Sequence, residues 1–543
     1  MLNQRFKEQH MDPHFALNIR QILLAPAGSN PDQLIIDGSG RSRSYAAFHD
    51  RIARLGAAFA ALGLGADKTI AVMDWDSPRY LECFFAIPMM GATLHTVNIR
   101  LSPEQILYTI NHAEDDAILC HEDFLPVLLP LLPRIARPVA LVLLSDRTDA
   151  ALPDGFVGEY ESLLAAQPTG FDFSLLPEDT RATLFYTTGT TGDPKGVSYT
   201  HRQLVLHTLA VAADLGTVPG TGGLKRNDVY MPITPLFHVH GWGFPYIATF
   251  LGLKQVYPGR YEPARLLALI AEHGVTFSHC VPTILSMILS APEAAETDLS
   301  RWRVLIGGSA LPEGLARRSR AKGIDIHAAY GMSETCPFVT RADMVASQHS
   351  DEVTIRTATG KPAALVELRV VDPEMRDVPA DGRTTGEVIA RAPWLTMGYL
   401  GNPSASGDLW QGGWLHTGDV GHISPDGTLR ITDRLKDVIK SGGEWVSSLA
   451  LENLASVVPG VREVAAVGVP DARWGERPVM VVVADGAVDA AIRERLGAAV
   501  AAGDLPKWAM PDRIITVPSI LRTSVGKTDK KRIRQMLETG EIV

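Results

Sequence analysis

The sequence lacks the cysteine patterns of metal-binding and disulfide-rich proteins. Its four cysteines, Cys83, Cys120, Cys280 and Cys336, lie far apart in a chain of 543 residues and form no CxxC pair. Isolated cysteines of this kind are typical of free thiols in a reducing compartment. The first residues, MLNQRFKEQHMDPHF, are polar and have no apolar centre, so we expect no secretory signal and a cytoplasmic protein.

Long apolar runs and an excess of positive charge are also missing. The most apolar stretch, FLPVLLPLLPRIARPVALVLL, is interrupted by four prolines and two arginines, which argues against a transmembrane helix. The net charge of −10 argues against nonspecific nucleic-acid binding, because phosphate backbones attract basic surfaces. The remaining composition, 46% hydrophobic and 21% charged, is that of a globular chain long enough for two or more domains.

Helix and strand patterns alternate along the first third of the sequence. Ser44 is a suitable N-cap for a helix that places Ile52, Leu55 and Phe59 on one face, and Ser102 begins a second helix. The segments TIAVMDW and DAILCHE follow these helices and have the pattern of buried strands. Repeated alternation of this kind predicts parallel sheets with helices on both faces, an α/β fold.

The pattern changes in the last third. After about residue 360, short strands separated by Gly, Asp and Pro turns indicate a barrel-like or meandering β subdomain. From about Leu435, two strands and two helices alternate in a smaller α+β unit. We therefore predict a large N-terminal domain at 1–433, made of α/β layers and the β subdomain, and a small mobile C-terminal domain at 434–543.

A loop rich in glycine and threonine, TTGTTGDPKG at 187–196, follows a predicted strand. Its backbone amides and hydroxyls could surround phosphate oxygens, and Lys195 adds a positive charge. Lys195 lies between Pro194 and Gly196, so the loop is not a Walker A motif. Alone, the pattern also fits a plain flexible connection.

The same ten residues resemble the phosphate loop of the adenylate-forming superfamily, and further motifs of that family follow in order. They are PLFHVHGWG at 235–243, IGGSALP at 306–312, AAYGMSET at 328–335, GWLHTGDVG at 413–421, DRLKDVIKSGGEWVSS at 433–448 and RTSVGKTDKK at 522–531. The resemblance covers roughly residues 20–535. It is strongest to the acyl-CoA synthetase branch, in particular to bacterial medium- and long-chain fatty-acyl-CoA synthetases and methylthiopropionate-CoA ligases.

The resemblance implies a reaction in two halves. A carboxylate first attacks the α-phosphate of ATP, and a thiol then displaces AMP from the acyl-adenylate. The implied catalytic residues are Lys527, Glu334, Lys195 and His238. Glu334 and a threonine of the phosphate loop, Thr188 or alternatively Thr191, would bind Mg²⁺. Without the resemblance, Lys527 would be interpreted as a solvated lysine of the C-terminal tail.

Further residues take binding roles from the resemblance alone. Those assigned to ATP and coenzyme A are Thr187, Thr188, Gly189, Thr190, Thr191, Gly192, Ser309, Ala310, Tyr330, Gly331, Met332, Ser333, Asp419, Arg434, Lys440, Gly442, Gly443 and Trp445. Those assigned to the acid are Trp242, Val281, Gly307, Gly308 and Pro337, and Lys436 matches the hinge. The alternatives are core packing for Tyr330 and Trp242, and a simple hairpin turn for the two glycines of the thiol loop. Ser333 and Leu521 depart from the usual threonine and proline of relatives.

Two features that the sequence lacks help to indicate which acid and which thiol are the substrates. The segment PLFHVHGWGFPY has no acidic residue to pair with an ammonium, so an amino acid is disfavoured as substrate. The sequence contains no carrier-protein segment, so coenzyme A is the expected acceptor. A short thioether or an aryl or alicyclic acid stays an alternative to a fatty acid. A luciferase-like oxygenase, an acyl-AMP ligase serving a carrier protein and a pure binding protein are the rival classes, and the resemblance also allows a homodimer.

Overall fold

The structure is a computed structural model that describes residues 15–147, 149–187, 193–217, 223–344 and 351–542. Within these ranges the chain forms two large sheets that are mainly parallel and two smaller sheets that are mainly antiparallel. The α/β class predicted from the alternating helix and strand patterns is thereby confirmed.

The first large sheet has strands from both ends of the N-terminal domain. In spatial order its strands are Lys361–Pro362, Thr340–Arg341, Asp325–Tyr330, Arg303–Ile306, Phe277–Cys280, Val229–Tyr230, Lys254–Tyr257, Leu34–Asp37 and Ser42–Ser44. The six strands from Asp325–Tyr330 to Leu34–Asp37 run parallel, and the strands at both edges are antiparallel to their neighbours. The parallel strands therefore end at one common edge of the sheet.

The second large sheet carries the start of the phosphate loop. Its strands are Phe156–Glu159, Ala140–Leu144, Ala117–His121, Thr69–Met73, Thr93–Thr96, Arg181–Thr187 and Lys195–Thr200. All neighbours pair in parallel except the last two, which form an antiparallel pair that brings Thr187 opposite Lys195.

Helices cover the faces of these sheets. The α-helices of the N-terminal part are Arg20–Ser29, Tyr45–Ala61, Pro78–Met89, Pro103–Ala113, Leu125–Leu128, Tyr160–Ala165, His201–Gly216, Phe244–Phe250, Pro263–His273, Pro282–Ser290, Glu313–Ala321, Glu352–Arg356 and Pro403–Leu409. Short 3-10 turns lie at Glu122–Phe124, Leu129–Arg134, Pro292–Ala295 and Ser333–Thr335. Ser44 caps its helix by accepting a hydrogen bond from the Ala47 amide, and Ser102 forms a capping box with Gln105, as the sequence predicts.

The region after residue 360 forms the predicted β subdomain as an antiparallel sheet. Its strands are Glu367–Val371, Gly386–Arg391, Trp414–Ile423, Trp410–Gln411 and Leu429–Arg434. The strand Trp414–Ile423 pairs with Leu429–Arg434, and this pairing sets Asp419 opposite Arg434.

The small C-terminal domain is the predicted α+β unit. Its strands are Ile439–Ser441, Glu444–Val446, Val461–Asp471, Gly475–Ala484 and Arg513–Thr516, and its helices are Ser448–Ser456, Asp489–Ala502 and Lys530–Glu538, with a 3-10 turn at Lys507–Ala509. Apolar side chains of this domain form two clusters of their own on the two faces of the sheet. No described helix is both long and apolar enough to cross a lipid bilayer.

Candidate active site

A cavity opens at the common edge where the parallel strands of the first large sheet end. Gly307 and Gly308 follow the strand Arg303–Ile306, and Tyr330 ends the neighbouring strand. Ligands of open α/β sheets bind outside the carboxyl ends of the strands, so this position is the expected one for a substrate.

The cavity encloses about 420 Å³, part of it open to solvent, and its walls are mostly apolar. The lining residues are His238, Val239, Trp242, Phe244, Leu305, Gly307, Gly308, Ala329, Tyr330, Gly331, Met332, Ser333, Pro337, Phe338 and Lys527. Ten of them were assigned from the sequence resemblance, so distant motifs meet in one place.

Gly331 is the residue at which the wall allows no side chain. A Cβ atom there would lie 1.3 Å from the Pro337 carbonyl oxygen, well inside van der Waals contact. The close approach of the two main chains explains why the motif AAYGMSET has glycine at this position. It also fixes Pro337, another predicted acid-binding residue, against the same wall.

Asp419 lies buried beside this wall and links two predicted nucleotide-binding residues. The Tyr330 hydroxyl donates a 2.7 Å hydrogen bond to Asp419 Oδ2, and Arg434 Nε lies 3.1 Å from Asp419 Oδ1. Burial and the Asp419 carboxylate raise the pKa of Tyr330, so its hydroxyl remains a donor. The Asp419 carboxylate, held from two sides, can accept hydrogen bonds from a pair of ribose hydroxyls.

Glu334 is joined to Lys195 through Tyr399, a residue that the motifs did not predict. The Tyr399 hydroxyl donates a 2.7 Å hydrogen bond to Glu334 Oε1. Burial and the Glu334 carboxylate raise the pKa of Tyr399, which keeps this proton on the tyrosine. Lys195 Nζ lies 4.6 Å from the centroid of the Tyr399 ring, a cation–π contact. Tyr399 thus fixes the Glu334 carboxylate through its hydroxyl and the Lys195 ammonium group, at the end of the phosphate loop, through its ring.

Lys527 enters the cavity from the C-terminal domain. Gly308 has a φ of +78°, and a Cβ atom on it would lie 3.2 Å from Lys527 Cε and 3.0 Å from Val281 Cγ1. Burial lowers the pKa of Lys527 to about 8, and the positive charge of Arg434 adds to this effect, while Asp419 and Glu334 oppose it. The side chain is therefore largely cationic at neutral pH, and its charge interacts with both carboxylates of the site.

His238 lies on the same cavity as a neutral imidazole. Burial, assisted by the charge of Lys527, lowers its pKa to about 3. A neutral ring beside a cationic lysine can accept or donate a hydrogen bond without adding a second positive charge.

Trp242 lines the cavity and belongs to a left-handed turn. Five consecutive residues, Val239 to Gly243, have φ between +49° and +72°, a left-handed turn that L-residues adopt at a cost of about 1–2 kcal/mol each. A Cβ atom on Gly307 would lie 3.1 Å from Trp242 Cη2, so the indole lies directly over a glycine. Strained turns of this kind concentrate at functional sites.

Other predicted residues lie at the margins of the cavity. Val281 packs between Gly308 and Gly526. Ser309 and Ala310 are exposed, and Ala310 lines a second cavity between the two domains. Thr187 ends its strand opposite Lys195, while Thr188, Gly189, Thr190, Thr191 and Gly192 lie outside the described residues.

The predicted thiol loop is separate from the cavity in this structure. Lys440, Gly442, Gly443 and Trp445 form a hairpin on the small domain, with Trp445 51% exposed. Gly442 packs against Trp474, and among the described residues that line the cavity none belongs to this hairpin. Lys436 lies in the turn between the strand that ends at Arg434 and this hairpin.

Three residues that bind members of the predicted motifs, Tyr399, Thr283 and Asn98, lie outside those motifs themselves. Tyr399 bonds Glu334, Thr283 donates a hydrogen bond to the Gly526 carbonyl at 2.7 Å, and Asn98 Nδ2 donates one to Ser524 Oγ at 3.1 Å. A signal for Tyr399 was present as an aromatic residue within the glycine turn MGYLGN.

Comparison with known proteins agrees with this geometry. The family model described as AMP-binding enzyme matches residues 25–400, and the model described as AMP-binding enzyme C-terminal domain matches residues 450–527. A long-chain-fatty-acid–CoA ligase of Thermus thermophilus is 40% identical over 505 residues, covering 92% of this chain and 91% of the relative. A 3-methylmercaptopropionyl-CoA ligase of Ruegeria lacuscaerulensis is 36% identical over 507 residues, with 92% of each chain covered.

A solved structure shows the same fold. The crystal structure of the anthranilate CoA ligase AuaEII in complex with anthranoyl-AMP matches with a TM-score of 0.86, covering 97% of this chain and 99% of that one, at 23% identity. Fold, site and family models together define an adenylate-forming enzyme. The chain belongs to the AMP-binding enzyme family, and the predicted placement in the acyl-CoA synthetase branch is confirmed.

Proposed function

We propose that this enzyme is an AMP-forming carboxylic acid–CoA ligase. It would adenylate a medium- or long-chain fatty acid, or a similar apolar carboxylate, with ATP and transfer the acyl group to coenzyme A. The observation that carries the proposal is the position of Lys527. The ammonium group of this partly buried lysine of the C-terminal domain lies at an apolar cavity with Tyr330 in its wall, and its charge interacts with those of Asp419 and Glu334.

Lys527 has the charge that the first half-reaction needs. The acid's carboxylate oxygen attacks the α-phosphorus, the bond to the bridging oxygen breaks, and pyrophosphate leaves. Both reactants are anions, so a fixed cation that contacts them offsets their repulsion and the charge that develops on the phosphate. The ammonium group of Lys527 would supply that cation, with the neutral His238 ring beside the carboxylate.

Glu334 fits the Mg²⁺ ion that the family implies. It is a buried carboxylate, and Mg²⁺ in nucleotide sites is bound by one or two carboxylates together with waters and phosphates. The absence of a cluster of three or more ligating side chains among the described residues agrees with such a sparse site. When bound, the ion would neutralise phosphate charge and polarise the α-phosphate. Thr188 stays a predicted second ligand.

The second half-reaction requires another arrangement of the two domains. A thiol must approach the acyl carbonyl, but Lys527 lines the cavity while the hairpin with Gly442 and Gly443 is exposed to solvent. We propose the boundary at residues 433 and 434 and a rotation about Lys436 that replaces the lysine with the hairpin. The thiol then attacks the carbonyl carbon and AMP leaves.

The nature of the acid follows from the lining of the cavity. Of the described residues in its wall none carries a carboxylate that could pair with an ammonium group, which supports an apolar acid over an amino acid. The relative named a 3-methylmercaptopropionyl-CoA ligase supports a short thioether acid as the alternative.

The test is pyrophosphate release with ATP and Mg²⁺ across butanoate, methylthiopropionate, octanoate, palmitate, benzoate and phenylpropionate, with and without coenzyme A. A ligase gives AMP and acyl-CoA in equal amounts, and steady turnover requires both the acid and coenzyme A. Turnover that ignores coenzyme A would instead favour a carrier-protein ligase or, if light is emitted, an oxygenase. Release with none of these acids would contradict the proposal for apolar acids.

Cytoplasmic location and assembly as a homodimer also stay proposals. Fractionation of the source cells and sedimentation of the purified protein test them independently of the activity.

A further inference from the structure

Trp242 packs against a stack of aromatic rings that lies next to the cavity. The ring centroids of Trp242 and His279 are 5.2 Å apart with planes inclined by 31°. The ring centroid of Phe244, which also lines the cavity, lies 4.5 Å from that of His279, and the centroid of Tyr230 lies 5.8 Å from it, with both rings nearly parallel to the imidazole. His279 itself is not among the described residues that line the cavity, so its imidazole forms a second layer of rings behind Trp242 and Phe244.

His279 is fixed by hydrogen bonds as well as by packing. Its Nε2 lies 2.8 Å from the Tyr230 hydroxyl, and its Nδ1 lies 3.1 Å from Thr234 Oγ1. The side chain is fully buried, and burial lowers its pKa to about 3, so the ring is neutral. Moving it would leave buried polar groups without hydrogen-bond partners, which is unfavourable.

Unlike His279, Trp242 is not held in place by side chains on the side that faces the cavity. Its indole packs over Gly307 and Gly308, which have no side chains to hold it in place. A rotation of Trp242 away from the cavity would lengthen the pocket only as far as the imidazole of His279. The depth of the pocket is then determined by the ring that cannot move rather than by the tryptophan in front of it.

We propose that His279 is a specificity-determining residue that limits the length of the acid. The enzyme would accept medium-chain and compact apolar acids and exclude long-chain ones. This inference rests on the proposed ligase activity and names the acid for that same site. Hydrophobic pockets discriminate by about 10- to 200-fold for a single methylene group, so a fixed wall is sufficient to set a length limit.

The test is the series of kcat/KM values for hexanoate, octanoate, dodecanoate and palmitate with ATP, Mg²⁺ and coenzyme A. For the wild-type enzyme we expect values for hexanoate or octanoate that exceed the value for palmitate by at least about 10-fold. Equal use of palmitate would overturn the inference while leaving the ligase intact. No turnover with any acid would instead contradict the proposed function itself.

Variants distinguish an effect of the His279 ring on acid length from a general effect on the stability of its strand. His279→Ala removes the ring, and the ratio of dodecanoate to hexanoate activity should rise by at least about 10-fold. His279→Phe keeps the ring without its hydrogen bonds and should keep the wild-type profile. Ser278→Ala is the matched control, because Ser278 faces Trp302 on the opposite side of the same strand. An unchanged profile in folded His279→Ala, or an equal shift in Ser278→Ala, would overturn the assignment.

A fourth variant tests the order of the two layers and does not depend on the stability of His279→Ala. In Trp242→Ala the imidazole still ends the pocket, so we expect palmitate to remain at least about 10-fold poorer than octanoate. Palmitate activity in Trp242→Ala equal to its octanoate activity would show that the tryptophan alone sets the limit, and the inference would be wrong.

Discussion

The Thr283 hydroxyl donates a 2.7 Å hydrogen bond to the main-chain carbonyl of Gly526, the residue directly before Lys527. Together with the bond from Asn98 to Ser524, it joins the lysine-bearing loop of the small domain to the large domain. These contacts exist only while Lys527 lies in the cavity, if the domains rotate as proposed. They should therefore support the first half-reaction and have little influence on the second.

Thr283→Val tests this role. Loss of one hydrogen bond is worth about 0.5–1.5 kcal/mol, so we expect adenylate formation to slow by about 2- to 13-fold. Thioester formation from a supplied acyl-adenylate should stay within about 2-fold of wild type. Thr283→Ser keeps the hydroxyl and serves as the control. Equal losses in both half-reactions, measured by rapid quench, would contradict a role confined to adenylation.

Removing the ammonium group of Lys527 should slow adenylate formation more than Thr283→Val does. In Lys527→Ala we expect adenylate formation to fall by at least about 100-fold, the loss typical for one electrostatic contact to a developing charge. Thioester formation from the acyl-adenylate should be largely spared, since the lysine is then outside the site. Lys531→Ala is a control on a neighbouring lysine of the tail. If thioester formation fell as far as adenylation, the assigned role would be wrong.

The pH dependence of adenylation should report the titration of Lys527. Burial lowers the pKa of this group to about 8, and the cationic form is the active one. Activity should therefore be level below pH 8 and fall about tenfold per pH unit above it, seen in kcat/KM for the acid. Lys527→Arg stays cationic, so its residual activity should lack this decline. A wild-type profile that stays level up to about pH 9.5 would exclude Lys527 as the titrating group.

The hinge can be tested at Lys436, in the turn after Arg434. Lys436→Pro fixes φ near −65° and should slow steady turnover by at least about 10-fold while adenylate formation is retained. Lys436→Ala leaves the backbone free and should behave like wild type. Unchanged thermal unfolding would show that the proline does not disrupt the fold. Full turnover in the proline variant would argue against rotation at this residue.

Local signals made much of the fold predictable. Ser44 and Ser102 are helix caps whose hydrogen bonds lie within a few residues, and the motif around Gly331 retains glycine because the main chain of Pro337 lies directly against it. The residues that complete the site could not be predicted from local signals, because they come from distant parts of the chain. Tyr399 is 65 residues from Glu334, and Thr283 is 243 residues from Gly526.

The acyl pocket shows the same limit of sequence reasoning. Trp242 could be assigned to it from a motif, but His279 lies in a separate strand, FSHC, and reads as an ordinary buried residue. Its role depends on which face of that strand points to Trp242 and on hydrogen bonds to Tyr230 and Thr234. Packing in three dimensions, rather than any local pattern, brings these rings together.

The most direct test of the central claim follows oxygen atoms through the reaction. Octanoate labelled with ¹⁸O in both carboxylate oxygens is converted with ATP, Mg²⁺ and coenzyme A, and the products are analysed by mass spectrometry. Attack of the carboxylate on the α-phosphorus followed by thiol displacement predicts AMP with one ¹⁸O atom, unlabelled pyrophosphate and one ¹⁸O atom in the thioester carbonyl. Label in inorganic phosphate or pyrophosphate, or AMP without label, would contradict the account.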